Sequence, residues 1–470
     1  MKRRLLSAFL AVMMVLTMAP VAFAADTETT TEYVAQVDGT NYETLADAIE
    51  AANNKTLTLL KDVNGQIVIP EGKTVTLDLN GNTVTAPSGR YDAVINQGTL
   101  TVTDSQKTGE IISNGNGGIG ISAGSDTTIE YAKVTGREGA IGGDKSTVGA
   151  KLTINDGVFT GVDNAVVIFN GSKRDGDANK ITINGGSFNG KIQSPGYIAC
   201  GIYAPWKDDI TVNNGTFNIE NGAGIVARGG MVTVKGGEFN TTGNITGMVG
   251  DYKGTVPCSA LVFDSTAGYP GMNDDSQIVV EDGKFKSDVA AVTVIKQTSD
   301  AGNRVKVTGG TFSSDVSAYV AEGYVQNNGT VEQLGETNAV AEVGGTYYKT
   351  LAEAVSAADN NTVTLLKNTV EDVVIPADKT ITLDLNGKKI VNSTTAQDSK
   401  VANDARKHTI TNNGTLTIMD SVGGGVVDNV SHQRAALYNN GTITEIKGGK
   451  FTRSVDNSTD SESANGNSWY

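Results

Sequence analysis

The stretch Ile181–Phe188, ITINGGSF, returns in close variants at 152–159 (LTINDGVF), 210–217 (ITVNNGTF), 232–239 (VTVKGGEF), 278–285 (IVVEDGKF), 305–312 (VKVTGGTF) and 444–451 (TEIKGGKF). Its first and third places are mostly Ile, Val or Leu, the alternation of a half-buried strand. The fifth is Gly, Asp or Asn and the sixth is Gly in every copy, so two consecutive left-handed residues are expected to make a tight turn there. The eighth is always Phe. Nine Phe follow residue 24, and seven of them (159, 188, 217, 239, 285, 312 and 451) occupy this place. An aromatic reserved for one slot is expected to be buried in that slot.

Within the first six copies the Phe are 29, 29, 22, 46 and 27 residues apart, the 46 reading as two rungs of which one lacks the Phe. Units of this length, made of short strands and Asn/Gly turns, fit the coils of a right-handed parallel β-helix. Coils stack at ~4.8 Å, so the Phe would form an internal ladder. The fourth place (Asn155, Asn184, Asn213, Lys235, Glu281, Thr308, Lys447) is outward and variable. A ligand loop would hold that exposed place constant and release the apolar ones, so the octet is scaffold. A second strand family, AVVIF (165–169), CGIYA (200–204), AGIVA (223–227) and SALVF (259–263), follows the turns. Aligned on it, Cys200 and Cys258 lie two coils apart, roughly 9.6 Å by the strand spacing. A disulfide needs Cα atoms within about 7 Å, so two free, buried thiols are expected.

The stretch 34–81 returns at 340–387 with a constant offset of 306 and no gap, which divides the chain into two tandem modules, 34–335 and 340–470. Each opens with one amphipathic helix, at about 44–53 and about 350–359. Thr44 with Asp47, and Thr350 with Glu353 as a fuller capping box, mark the N-termini. Apolar residues fall at helical spacing at Leu45, Ala48, Ile49, Ala52 and at Leu351, Ala354, Val355, Ala358. The period then changes to two. One helix before nothing but strands is expected to plug the open end of a β-stack. The second module, at 131 residues, is incomplete beside the first, and the closing GNSWY reads as the lead-in to another coil.

Residues 1–24 read as a secretion signal: MKRR, an apolar run, and a small-residue cleavage site at Ala22-Phe23-Ala24, with a short linker at 25–33. Loss of Lys2, Arg3 and Arg4 would take the net charge from −15 to −18, with 34 basic against 52 acidic residues. Such a surface disfavours nucleic acid and anionic membranes. No later stretch is apolar for long enough to span a bilayer.

These residues resemble the pectate-lyase-like parallel β-helix superfamily and, more narrowly, surface proteins of gut Firmicutes that repeat a "TLAEAV…TVTLLKD…ITLDLNG" opening before "NNGTLTI" and "GGxF" coils. The resemblance runs from Val34 to the end. It implies an all-β, right-handed parallel β-helix with a short N-terminal capping helix, in two tandem copies, and an exported or wall-attached protein with adhesin-like or carbohydrate-contacting roles.

Motifs that look catalytic carry little. GISAG (120–124) matches a nucleophile elbow at Ser122, but no helix pattern follows, and both His, His408 and His432, lie in the other module. GNGGIG (115–120) matches a dinucleotide loop without the helix that would face a pyrophosphate. Asp175, Asp177 and Asn179 have calcium-loop spacing, but the Gly and distal Glu of such a loop are missing, so a solvated turn is favoured over a weak calcium site. Asp274-Asp275 has no assignable partner. A polysaccharide lyase or hydrolase would need acids beside a basic cluster. Arg137, Arg174, Arg228 and Arg304 are scattered. The pairs Thr74/Thr76, Thr99/Thr101, Thr380/Thr382 and Thr415/Thr417 suggest a flat ice-binding face that does not persist in register. The sequence therefore predicts a non-catalytic, cofactor-free extracellular stalk or adhesin-like module with nothing reactive on its wall. Excursions at 137–150, 171–179, 240–256 and 264–277 would touch a glycan or a cell-surface protein. Tyr203, Trp206, Tyr252 and Tyr269 are the aromatics to expect there, packing of the excursions being their ordinary alternative.

Overall fold

Strands of period two separated by glycine turns can satisfy their backbone only by pairing with the next turn of the chain, and they do so here coil upon coil. The computed structural model describes residues 32–144, 146–169, 176–192, 194–204, 206, 208–249, 254–266, 277–296, 304–393, 406–431 and 434–453. The signal segment therefore lies outside the described residues, as do Asp175, Tyr252, Tyr269, Asp274, Asp275, Arg174, His432 and GNSWY. In the first module each coil lays one strand in each of three sheets, of twelve, twelve and nine strands among the described residues. Strands of successive coils pair in parallel. The fold is a parallel β-helix.

The octet spans the first two sheets. Lys151–Ile154 and its relatives form the first sheet, the glycine turn follows, and Val158–Gly161 and its relatives form the second. The AVVIF family forms the third, where Ala165–Phe169, Ala199–Ala204, Gly222–Ala227 and Ser259–Asp264 are consecutive neighbours. In the first sheet one inward column runs through ten rungs from Leu57 to Val307, aliphatic throughout and buried. Each such side chain contributes about 1.5–3 kcal/mol by leaving water.

In the second sheet the Phe slot is aliphatic over the first coils, at Val63, Val84, Ile111 and Val134, and aromatic from Phe159 onward. Phe159, Phe188, Phe217, Phe239, Phe285 and Phe312 stack with centroids 5.0, 4.5, 4.6, 5.1 and 4.7 Å apart. The 46-residue interval is one rung rather than two. Phe239 pairs directly with Phe285, and the additional residues leave the wall as an excursion that contains the hairpin Thr246–Met248/Thr255–Pro257.

The turn uses one left-handed residue, not two. The sixth place has positive φ throughout, 139° at Gly157 and 103° at Gly186, whereas the fifth does not. Asp and Asn serve the fifth place because their side chains accept the N–H of that glycine: Asp156 from Gly157 at 2.8 Å, Asn214 from Gly215 at 2.9 Å and Asp282 from Gly283 at 2.7 Å. The glycine is also sterically required, since a Cβ at Gly157 would stand 2.4 Å from the Ala132 carbonyl of the preceding coil.

The ends are closed as the hydrophobic pattern implies. Helix α1 (Leu45–Ala51) is capped by Thr44, whose hydroxyl accepts the Asp47 N–H, and it buries Ala48 and Ile49. Ala35–Val37 pairs antiparallel with both Thr40–Tyr42 and the first coil strand. At the far end Thr330–Gln333 runs antiparallel against Gly310–Phe312 and Tyr324–Asn327. The second module has its own core and repeats the opening, with α2 (Leu351–Ala357) and sheets of six, four and three strands among the described residues. The capping box there is only half made: Thr350 accepts the Glu353 N–H, while the Glu353 carboxylate pairs with Lys349. Glu371 instead receives the N–H groups of Leu351 and Ala352.

The two LDLNG turns are stitched to the next coil by aspartates. Asp104 accepts the N–H of Gly81 and Gly109, and its counterpart Asp420 accepts those of Gly387, Gly423 and Gly425. Burial alone would raise the pKa of Asp420, but the three donors outweigh it and hold the carboxyl below its ordinary value.

Candidate functional site: a glycine-floored groove on the third sheet

A β-helix has inward positions fixed by its core and outward positions that are free to vary. On the third sheet one outward column runs Val68, Ile95, Gly120, Gly142, Ile168, Tyr203 through successive coils. The other runs Gly117, Gly139, Ala165, Cys200. Four glycines on two neighbouring coils thus remove the side chains from one patch of wall and leave a groove of about 550 Å³. These glycines belong to GNGGIG, GISAG and the GAIGG strand. Neither catalytic motif acts as its pattern would suggest: the strand Gly117–Ile121 leads through Ser122 into another strand, Asp126–Ile129.

Asp92 lies across this floor. Its Oδ1 accepts the Gly117 N–H at 2.8 Å and the Asn116 side-chain amide at 2.9 Å. Its Oδ2 lies over Gly120, where a Cβ would come within 2.4 Å of it. Burial raises the Asp92 pKa above the ordinary carboxylate value; the Gly117 and Asn116 donors pull it back, and the charge of Asp144 adds to the rise. Asp144 stands on the opposite rim, where it accepts the Ser146 N–H and hydroxyl at 2.7 and 2.5 Å. Arg90 and Glu138 also line the groove, with Arg90 Nη2 and Glu138 Oε1 3.4 Å apart. Tyr91, 51% exposed, belongs to the same turn as Arg90 and Asp92.

The expectation of a wall with nothing reactive on display is therefore corrected: acidic and basic side chains converge over a recess. Sequence reasoning missed it because Arg90 and Asp92 lie on one coil and Glu138 and Asp144 on another, with a third coil between them. The available signal was the substitution of glycine at outward strand places, GGIG and GAIGG against AVVIF.

Of the aromatics named from sequence, Tyr203 and Trp206 are among the described residues, and neither lines this groove. Tyr203 and Trp206 are 1% and 2% exposed, so neither ring is open to stack on a sugar. Tyr203 is covered because Val249 and Val256 of the excursion lie over the third sheet, packed among Cys200, Tyr203, Val226 and Val262. Arg228 pins it there. Its guanidinium donates to Asp264 at 3.0 Å, to the Tyr203 hydroxyl at 3.2 Å, and to the carbonyls of Val249 and Gly254 at 3.5 and 3.1 Å.

The calcium-loop spacing has a structural explanation at Asn179, which is fully buried. It accepts the Ala150 N–H and donates to the Thr147 carbonyl and to Asp208. Asp177 is exposed. Among the described residues no group of three His, Cys, Asp or Glu is placed to hold a metal. Arg137 pairs with Asp163, and Arg304 lies over the Phe263 ring. Both thiols are free and buried as expected, and burial pushes Cys200 up to about 12.

The threonines also require correction. One member of the Thr-x-Thr pair does persist in register, through Thr56, Thr76, Thr101, Thr128, Thr153, Thr182, Thr211 and Thr233. The other gives way to Asp126, Lys151, Lys180 and Asp209, so the face is ordered but charged.

No described helix is long and apolar enough to cross a membrane. The chain matches no family model, no curated protein and no solved structure.

Proposed function

We propose that this chain is an exported, adhesin-like β-helix of the surface-protein kind it resembles, and that it makes non-catalytic contact with a glycan through the groove on its third sheet. The observation that carries this reading is the four-glycine recess with Asp92 laid across it. A rim of carboxylates, side-chain amides and one guanidinium offers the donors and acceptors that sugar hydroxyls require. A rigid ladder holds all of these in place without the entropy cost of ordering a loop.

A second reading rests on Asp92 and Asp144. A carboxyl with raised pKa across a groove from a second carboxylate is the pattern of a glycoside hydrolase acid and its partner. Glycan-array and cell-retention measurements test the binding reading, with Gly120→Val as the variant that fills the recess and displaces only the Asp92 side chain. Retention lost in Gly120→Val supports it; retention equal to the parent refutes it. Release of reducing ends from a polysaccharide panel, abolished in Asp92→Asn, would replace it with the hydrolase.

A further inference from the structure

We infer that the groove selects glycans bearing protonated amines over glycans bearing carboxylates. The inference rests on the glycan-binding reading and adds the chemical class of the ligand.

It follows from the charges that face the recess. Arg90 is matched by Glu138 at 3.4 Å. Among the described residues Asp92 and Asp144 have no cationic partner: the hydrogen bonds their carboxylates accept come from neutral amide or hydroxyl donors. With all four groups ionised the groove carries two uncompensated negative charges, in a chain whose net charge is already −15. A cleft walled by protein focuses such a field. The partial burial that raises the Asp92 pKa also makes a cation placed beside it more favourable than one in open solvent. Glycine at 117 and 120 lets this carboxylate lie directly on the strand backbone, from where Asp92 lines the recess.

The geometry also disfavours the opposite class. A uronic acid in the recess would bring a third carboxylate against Asp92 and Asp144. The one guanidinium able to receive it would have to abandon Glu138. A neutral N-acetylated sugar would keep the hydrogen bonds and lose the ion pair, and so ranks between the two.

The test is titration calorimetry of the full chain in mildly acidic low-salt buffer with three probes of equal length: fully deacetylated chito-hexaose, N-acetylated chito-hexaose and hexagalacturonate. The expected order of affinity is the order in which they are named. Affinity for the deacetylated probe should fall as salt is raised. Asp144→Asn, an exposed-rim change that keeps side-chain shape, should cost the deacetylated probe about tenfold and the N-acetylated probe far less. Hexagalacturonate binding as tightly as the deacetylated probe would overturn the inference and leave the glycan-binding reading standing. So would an Asp92→Asn/Asp144→Asn double variant that folds normally and keeps the preference. Failure of all three probes to bind would remove the glycan-binding reading itself.

Discussion

Removal of one ring from the aromatic ladder measures how much of the fold rests on it. Phe217 is fully buried and stacks at 4.5 and 4.6 Å on Phe188 and Phe239. Truncation to alanine loses the transfer energy of the ring and leaves a cavity, together about 3–5 kcal/mol for a buried Phe. The upper part of that range applies, because two stacked contacts of about 0.5–1.5 kcal/mol each disappear. Collapse is also opposed, since backbone bonds to the coils on both sides fix the strand that carries the residue. Phe312 closes the ladder, is 4% exposed and stacks on one ring only, at 4.7 Å. Phe312→Ala should therefore fall at the lower end, roughly 1 kcal/mol or more below Phe217→Ala. Urea unfolding followed by the fluorescence of buried Trp206 reads both, with unchanged dependence on urea required for the comparison. Because coils interact with their nearest neighbours, a Phe188/Phe217 double-mutant cycle should show coupling while Phe159/Phe285 should not. A loss below about 1 kcal/mol for Phe217→Ala would refute the claim that the ladder organises the core.

Two further outcomes are expected. Arg228→Ala leaves Asp264 buried without its ion-pair partner and removes the donors to Val249 and Gly254, a loss of about 3–5 kcal/mol. Limited proteolysis read by mass spectrometry should then cut within 242–257, and resistance equal to the parent would show that apolar packing alone holds the excursion. Asp420 has a folded pKa below its ordinary value, so its contribution is complete above the unfolded value and is lost as pH falls through the lower folded one. Chemical unfolding of the second module at a series of acid pH values should show this loss, flattened in Asp420→Asn; identical profiles would exclude the aspartate stitch as a source of acid sensitivity.

The octet carried most of the fold because every place in it answers to one local demand. Burial reserves the eighth place for Phe, and positive φ with a close backbone above reserves the sixth for Gly. Two features escaped for physical reasons. The fifth place looked conformational, but Asp156, Asn214 and Asp282 there accept the next N–H, a role hidden because the other copies carry glycine, which has no side-chain acceptor. The 46-residue interval looked like two coils because a chain that leaves the wall and returns in register is indistinguishable in spacing from one that takes an additional turn. The groove depended on contacts between coils 22–27 residues apart, and no local pattern links Asp92 to Gly117 or Gly120. The burial of Tyr203 was hidden likewise: the excursion that covers it begins some forty residues later in the chain.

The outward columns of the first and third sheets make opposite use of the same freedom. Thr in the first is what strand preference alone would choose, and its charged neighbours follow no single sign, so nothing there calls for a ligand. The third sheet sets glycine at four outward places in two coils, each less favourable in a strand than alanine by about 0.5–1 kcal/mol, or roughly 2–4 kcal/mol together. No core packing recovers this, because the places face outward. What Gly117 and Gly120 provide is room for Asp92 itself, whose Oδ1 would be 2.8 Å from a Cβ at Gly117 and whose Oδ2 would be 2.4 Å from one at Gly120. At Gly142 and Gly139 a Cβ would stand 1.7 Å from the Ile168 carbonyl and 2.8 Å from the Ala165 carbonyl of the next coil, so close coil contact reserves those two places for glycine. The flattened wall that results, with Asp92 laid along it, is the reason to propose the groove and not the excursions as the place of ligand contact.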